Sequence, residues 1–309
     1  MLAGGVWAQS RPQAEISQLD LSLIDDVLTP NDLFFIREHF PAPAVSIHAW
    51  KLAVGEASVG LDDLMQQPRK ILTATIECAE NPVGGGLVST AEWTGASLGP
   101  LLEKARLRGR FVRLTGADSF ARTLPLEKAM HPDTLLAWAM NGERLPAAHG
   151  FPVRAIVPGW YGMESVKWLR SVEGTDQEDT STAYRRRVRS LLAGMRVTEP
   201  VRAMQVKSVF SRPLDGAILV GRRFVMRGAA WGGEGGVEVS TDGGKTWAGA
   251  QVGKAKPYTW GLWEWDWKIP RAGEYELVVR AAGQPAERAS ERVDEYEQNA
   301  WQRARVVVK

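Results

Sequence analysis

The sequence predicts an α+β fold in two domains: a mixed α and β domain over residues 18–198, then an all-β domain over residues 199–309. Up to about residue 175, short strand-like runs alternate with compact helical patterns, whereas only strand-like runs follow Pro200. The chain has 309 residues, which is long enough for two domains of ordinary size.

The N-terminal domain begins with residues 18–40, which look helical and then turn-rich, with Thr29-Pro30-Asn31-Asp32 as the break. Ser97–Ala105 and Pro125–Met130 are compact helical patterns. The clearest predicted strands are Ile71–Cys78, Phe111–Thr115, Thr134–Ala139 and Val153–Val157. Residues 174–186 are polar and poor in apolar positions, which predicts a long surface loop of the kind that often carries function.

The C-terminal domain shows strand patterns at close and regular spacing. These are Met204–Phe210, Ala217–Val225, Val237–Ser240, Glu274–Arg280 and Arg303–Lys309. Asp242-Gly243-Gly244 is a hairpin signal, and Trp263, Trp265 and Trp267 fall on one strand face, as expected of a packed sheet or a subunit interface. Short strands at this spacing are typical of an immunoglobulin-like β-sandwich of roughly 110 residues.

Composition excludes several function classes. The net charge of +2 does not suggest a nucleic-acid-binding protein, and no apolar run approaches the roughly 18 residues of a membrane span. The basic run at residues 184–189 is typical of a solvated face, with an anionic cofactor or an acidic partner as the alternative. A single cysteine excludes an intramolecular disulfide, a cysteine-ligated iron–sulfur cluster and a multi-cysteine zinc site, and no CxxCH haem motif is present.

The first ten residues, MLAGGVWAQS, resemble the tail of a signal peptide without its positively charged start. This predicts a periplasmic protein, or a cytoplasmic one if the segment is not part of an export signal.

Cys78, the single cysteine, closes an apolar run just before the loop Asn81-Pro82-Val83-Gly84-Gly85-Gly86. By itself, a lone cysteine of this kind is more often a small core residue than a ligand or a nucleophile. The glycines lack a Gly-Lys-Ser/Thr ending, so they indicate a close-approach turn and not a phosphate loop.

Three stretches resemble the sulfite oxidase family of molybdenum enzymes. They are Thr29–Pro41 (TPNDLFFIREHFP), Thr73–Asn81 (TATIECAEN) with Trp93-Thr94-Gly95 and Leu98, and His149–Arg154 (HGFPVR) continuing to Pro158-Gly159 and Val166–Leu169 (VKWL). The resemblance extends to the β-sandwich, which is similar to the dimerisation domain of the family, and so covers nearly the whole chain.

The resemblance implies a molybdopterin-binding domain, a molybdenum–molybdopterin cofactor and two-electron oxygen-atom transfer. Cys78 would be the metal ligand, since a soft thiolate suits such a centre and the pterin brings the other sulfurs. Arg37 and Tyr184 would act with Cys78 at the reacting face, Tyr184 by orienting an oxo or hydroxo group. The positions that match cofactor-binding residues of the family are Ile36, Arg37, His39, Cys78, Asp118, His149, Arg154, Ser165, Val166 and Lys167.

The match departs from the family at the expected oxyanion pocket. Pro82 and Val83 stand where the family pattern has arginines, and Trp231–Gly236 (WGGEGG) has no arginine but adds Glu234. Fewer cations and an extra carboxylate near an anion site disfavour sulfite, so the expected substrate is sulfite or another small sulfur, nitrogen or oxo compound.

The resemblance further implies a homodimer that passes electrons to an external carrier, such as a c-type cytochrome or a haem subunit. Two alternatives remain open from the residues themselves. One is a hydrolase or transferase with Cys78 as nucleophile and His39 or His149 as base; the other is a non-catalytic assembly protein that retains the fold.

Overall fold

The N-terminal half is built mainly of strands with three short helices. The computed structural model describes residues 14–178, 185–189, 196–286 and 299–309. The strands are β1 (Ile16–Ser17), β2 (Ile36–Arg37), β3 (Lys51–Val54), β4 (Ala57–Gly60), β5 (Arg69–Glu77), β6 (Val88–Ser97), β7 (Phe111–Gly116), β8 (Ala121–Pro125), β9 (Leu135–Met140), β10 (Glu143–Arg144), β11 (Arg154–Ile156) and β12 (Leu169–Thr175). The helices are α1 (Leu61–Met65), α2 (Gly99–Lys104) and α3 (Leu126–Met130), with 3₁₀ turns at Leu21–Leu23, Ala147–His149 and Gly162–Glu164.

Ten of these strands form two five-stranded sheets that share one core, while β1 pairs with β2. One sheet has the order β10-β9-β6-β5, with β11 also paired to β9, and the other has the order β4-β3-β12-β7-β8. Alternate side chains of β7, such as Val112 and Leu114, point inward and pack with Leu52 of β3 and Leu136 of β9. Removing these apolar side chains from water is the main force that holds the two sheets together.

The C-terminal half is a β-sandwich preceded by a hairpin. Its strands are β13 (Arg185–Arg189), β14 (Arg196–Pro200), β15 (Lys207–Arg212), β16 (Ile218–Leu219), β17 (Arg223–Trp231), β18 (Val237–Ser240), β19 (Ala248–Gly249), β20 (Gln251–Val252), β21 (Gly261–Lys268), β22 (Gly273–Ala281) and β23 (Gln302–Val308). β13 pairs with β14. The two sheets of the sandwich have the orders β15-β17-β21-β20 and β16-β23-β22-β18-β19. Trp263 and Trp267 are buried between them, as the sequence predicted for a packed sheet.

A separate apolar cluster joins the two halves. Leu21 and Ile24 of the N-terminal segment pack with Ala79 beside the cysteine and with Trp231 and Trp260 of the sandwich. The segment that carries the cysteine therefore lies against the C-terminal half.

Most predicted elements are confirmed, with three corrections. Residues 18–40 are not helical: they hold one 3₁₀ turn and β2. Residues 217–225 form two strands in different sheets, because the chain turns at Gly221, whose φ is +104°. The predicted loop at residues 174–186 is interrupted, since residues up to 175 belong to β12 and β13 begins at residue 185. The boundary near residue 198 stays a prediction.

The described residues include no helix that is both long and apolar enough to cross a bilayer.

Candidate functional site

A cleft of about 710 Å³, part of it open to solvent, lies in the N-terminal half. It is lined by Phe34, Phe35, Arg37, Glu38, His39, Ile76, Cys78, Asp118, Phe120, His149, Arg154, Gly162, Met163, Ser165, Val166, Lys167 and Trp168. Of the ten predicted cofactor-binding residues, only Ile36 is not in the lining; it lies next to Arg37 in β2. Tyr184 lies outside the described residues. The fold thus brings together side chains that are up to 134 positions apart in the sequence, from Phe34 to Trp168.

Cys78 directly follows β5, whose last four residues are buried. Its N–H donates to the carbonyl of Leu87 (2.9 Å), its carbonyl accepts from the N–H of Asn81 (2.9 Å), and 8% of the residue is exposed. Burial is the main reason that the pKa of the thiol is raised to about 12. Cys78 is therefore a neutral thiol at pH 7 until a positive group replaces its proton.

Arg154, the first residue of β11, is the most deeply buried cation of the cleft, with 5% of it exposed. Nη1 donates to the carbonyl of His149 (3.1 Å) and Nη2 to the carbonyl of Ser165 (3.0 Å), while Nε has no partner among the described residues. No described carboxylate forms an ion pair with Arg154, and desolvation lowers its pKa to about 9. A buried guanidinium without a counter-ion is costly, so the geometry favours an anionic ligand here.

Lys167 is a second cation of the cleft. Its Nζ donates to the carbonyl of Ala148 (2.8 Å), lies 3.4 Å from Oε1 of Glu38 and sits 4.3 Å from the ring centroid of Trp168. Desolvation and the charge of Arg154 lower the pKa of Lys167 to about 8. A close approach at Gly150, where an added Cβ would lie 3.1 Å from Cβ of Lys167, brings this lysine towards Arg154.

The two predicted histidines differ in what they contact. His149 is buried, and its Nε2 donates to the carbonyl of Asn31 (3.2 Å). Desolvation and the neighbouring Arg154 lower the pKa of His149 to about 4, so it is a neutral imidazole at pH 7. The ring centroid of His39 lies 4.8 Å from that of Phe120, with the two rings tilted by 51°, and the pKa of His39 is lowered first by burial and then by the charge of Arg37.

Arg37 is the cation nearer the mouth of the cleft. Its Nε lies 2.8 Å from Oε2 of Glu80, and its Nη1 donates to the carbonyl of Glu38. About a quarter of each side chain in the Arg37–Glu80 pair is exposed. Arg37 therefore presents a charge that is largely neutralised, in contrast to Arg154.

Asp118 and Ser165 act through backbone contacts. The carboxylate of Asp118 accepts from the N–H of Phe120 (3.0 Å), and burial raises its pKa. Oγ of Ser165 accepts from the N–H of Val157 (3.0 Å), while its carbonyl holds Arg154. Both residues fix the walls of the cleft as much as they offer polar atoms to a ligand.

The sequence reasoning missed Glu38 and Glu80, the two carboxylates that pair with cleft cations. Both lie inside the stretches that carried the resemblance, so their positions were a usable signal. The interpretation of Glu234 was wrong: this residue is exposed and does not line the cleft. The carboxylate that offsets the charge of Arg37 is Glu80.

The described residues contain no cluster of three or more His, Cys, Asp or Glu side chains that could hold a metal ion. A metal bound at Cys78 would thus draw its remaining ligands from another source.

Comparison with known proteins gives two family matches. Residues 39–183 match the oxidoreductase molybdopterin binding domain, and residues 198–309 match the Mo-co oxidoreductase dimerisation domain. The chain is 34% identical to sulfite oxidase of Gallus gallus over 88% of its own length and 69% of that protein. It is 33% identical to mitochondrial sulfite oxidase of Homo sapiens, but spans only 56% of that protein.

One solved structure matches over almost the whole chain. It is the sulfane dehydrogenase SoxCD from Paracoccus pantotrophus, with a TM-score of 0.84 and 28% identity. The match covers 98% of this chain and 89% of that one.

Proposed function

Because the chain belongs to the sulfite oxidase family of molybdopterin-dependent oxidoreductases, we propose that Cys78 binds the molybdenum in this cleft and that the substrate is a small sulfur compound with less negative charge than sulfite. The observation that carries the substrate assignment is the pairing of Arg37 with Glu80.

The residues of the cleft fit a molybdopterin group. Arg154 is a buried cation whose Nε lacks a hydrogen-bond partner among the described residues, and the phosphate of the pterin would supply the missing anion. Lys167, whose counter-ion Glu38 is 3.4 Å away, would support the same anion. Cys78 lines the same cleft and offers the single soft ligand that the family cofactor requires.

When bound, the cofactor supplies two-electron oxygen-atom transfer. Cys78 would lose its proton on binding the metal, since a coordinated thiol is deprotonated. Arg154, Lys167 and the neutral His149 would orient the pterin, and the buried aromatic walls at Phe34 and Phe35 would exclude water from it. These residues bind and orient the cofactor while the cofactor carries the reaction.

The substrate assignment follows from charge at the mouth. Binding a dianion requires cations that are free to face it, and the Glu80 carboxylate already neutralises much of the Arg37 charge. Pro82 and Val83 are not in the lining of the cleft, so the charge argument rests on the Arg37–Glu80 pair. SoxCD is named as a sulfane dehydrogenase, and this supports sulfane sulfur, a sulfur atom bonded to another sulfur, as the substrate class here.

Net oxidation of such a sulfur adds one oxygen atom from water and releases two protons and two electrons. With one cysteine and no CxxCH motif, the chain offers no iron–sulfur cluster or c-type haem of its own to take those electrons. An external carrier, such as a c-type cytochrome or a haem subunit, would accept them. We further propose a homodimer formed through the C-terminal domain and a periplasmic location.

The geometry gives less support to a cysteine hydrolase. A thiol with a pKa near 12 is a poor nucleophile, and no hydrogen bond joins Cys78 to an imidazole among the described residues. A non-catalytic assembly protein would not explain why the buried guanidinium of Arg154 lacks a counter-ion among the described residues.

Two measurements on protein from a cofactor-competent host test the proposal. Molybdenum and pterin content should be near one per chain in the wild type and near zero in Cys78→Ser, with folding unchanged by circular dichroism. A substrate panel with an artificial electron acceptor should show turnover of sulfane compounds at low KM and of sulfite only at high KM. Metal-free wild-type protein would contradict the cofactor assignment, and efficient sulfite oxidation would contradict the substrate assignment.

A further inference from the structure

A buried hydrogen-bond network connects the β-sandwich to the residue that precedes Cys78. Lys207 opens β15 and Trp231 closes β17, and the two residues are direct partners in the sheet register. Nζ of Lys207 lies 2.5 Å from Oε1 of Glu77, and Nε1 of Trp231 donates to Oε2 of Glu77 (2.7 Å). Both oxygens of the Glu77 carboxylate are therefore held by the C-terminal half.

The same network holds the loop that follows Cys78. Nδ2 of Asn81 donates to Oε1 of Glu77 (3.0 Å), and Nζ of Lys207 donates to the carbonyl of Asn81 (3.1 Å). Asn81 in turn donates its N–H to the carbonyl of Cys78 and accepts from the N–H of Leu87 through Oδ1 (3.0 Å). Since Leu87 accepts from the N–H of Cys78, both backbone groups of the cysteine belong to one closed ring.

The charged groups of this network are removed from water. Glu77 is 0% exposed and Lys207 is 1% exposed. A buried ion pair of this kind adds little net stability compared with apolar side chains of similar size, whereas it defines one geometry sharply. Four polar contacts of this network end on Glu77 or Asn81, the residues on either side of the Cys78 segment. The network therefore fixes the backbone that carries the Cys78 thiol.

We propose that Lys207 and Trp231 are positioning residues: through Glu77 and Asn81 they set the orientation of the Cys78 sulfur towards the cleft, which makes the C-terminal domain part of the support of the active site. This inference rests on the proposed role of Cys78 as the metal ligand. It adds to that role a requirement for two side chains that are more than 120 positions away and in the other domain.

The variant that tests it is the double substitution Lys207→Met with Glu77→Gln, which removes both charges without leaving one of them buried alone. The control is Arg212→Met. Arg212 lies in the same strand and also joins the two halves, through the carbonyl of Ser22 (3.0 Å) and the carboxylate of Asp25 (2.8 Å), but it does not contact the cysteine loop. A general weakening of the domain contact would affect both variants.

Three readouts separate positioning from folding. In cofactor-free protein, alkylation of Cys78 should be at least tenfold faster in the double variant than in the wild type. In molybdenum-loaded protein, the Mo(V) electron paramagnetic resonance spectrum should change, and kcat should fall at least tenfold while KM stays within threefold. Arg212→Met should leave the spectrum unchanged and the two rates within twofold of the wild type.

An unchanged spectrum and an unchanged kcat in the folded double variant would overturn the inference, whatever the loss in melting temperature. If the double variant does not fold, Trp231→Phe decides, because it removes the hydrogen bond to Glu77 and keeps an aromatic ring in the apolar cluster; we expect a three- to fivefold change in the alkylation rate in the same direction. If the wild type holds no molybdenum, the proposed function fails, and the alkylation ratio alone then decides whether the network positions the thiol.

Discussion

Arg154→Met should leave the stability of the fold nearly unchanged and should weaken cofactor binding. In the cofactor-free protein the Arg154 guanidinium is desolvated, and the fall in its pKa from 12.5 to about 9 corresponds to about 5 kcal/mol of lost solvation. Its two hydrogen bonds to carbonyls return about 3–6 kcal/mol, at about 1.5–3 kcal/mol for each bond from a charged donor. The two contributions nearly cancel.

The free energy of unfolding of cofactor-free Arg154→Met should therefore stay within about 2 kcal/mol of the wild-type value. The matched control is Arg122→Met. Arg122 is equally buried but pairs with Glu164, whose side chain is 1% exposed. Removing the Arg122 guanidinium leaves the Glu164 carboxylate buried without its partner, which should lower the free energy of unfolding by about 3–5 kcal/mol. Urea unfolding followed by tryptophan fluorescence measures both values.

Cofactor retention should rank the two variants in the reverse order, with the greater loss in Arg154→Met. If the pterin phosphate is the counter-ion of Arg154, loss of the guanidinium weakens binding of the cofactor by about 2–3 kcal/mol, which is roughly 100-fold in the dissociation constant. Molybdenum and pterin content after extended dialysis should fall in Arg154→Met and stay near the wild-type level in the folded fraction of Arg122→Met. The reasoning is refuted if Arg154→Met destabilises the cofactor-free protein as much as Arg122→Met, or if it keeps its full complement of molybdenum.

Two further predictions concern charge in the cleft. Glu80→Gln should remove the carboxylate that pairs with Arg37 and lower the KM for sulfite about fivefold, the size expected for losing a partly exposed ion pair. Steady-state kinetics at fixed ionic strength measures the KM, and an unchanged value would contradict a role of this pair in substrate binding. His149 has a folded-state pKa near 4 against 6.5 when unfolded, so the unfolded state binds more protons between these values and stability falls as the pH falls. Cofactor-free wild type should lose about 2 kcal/mol more than His149→Gln between pH 7 and pH 5, and parallel pH profiles of the two proteins would contradict this.

The elements that could be predicted from the sequence are those in which local pattern and tertiary position agree. β9 lies within an apolar run that remains mostly buried, whereas β7 and the sandwich strand β21 alternate as half-buried strands do. Residues 18–40 look helical but fold otherwise, since Leu19 donates its N–H to the carbonyl of Gly86 and packs with the sandwich. Tertiary contacts outweigh helix propensity there.

The candidate site divides in the same way. The residues within the three stretches of resemblance converge on the cleft, whereas the pairing of Glu77 with Lys207 spans 130 positions and has no local signature. The position of Glu234 within Trp231–Gly236 did not predict its side-chain location, because a sequence motif does not specify the direction in which a loop residue points. Charge pairs of long sequence separation are the part of a site that only the fold reveals.

The ion pairs are distributed unevenly between the interior and the mouth of the cleft. Arg154, deep in the cleft, has no carboxylate partner among the described residues, whereas Lys167 faces Glu38 at 3.4 Å and Arg37, nearer the mouth, pairs with Glu80 at 2.8 Å. A permanently bound anion gains most from the unpaired interior cation, because the low dielectric there strengthens its attraction. A substrate that must enter and leave meets a surface whose charge is already balanced. This arrangement is the one that the proposed function requires, with an anionic cofactor held tightly and a substrate that carries little charge.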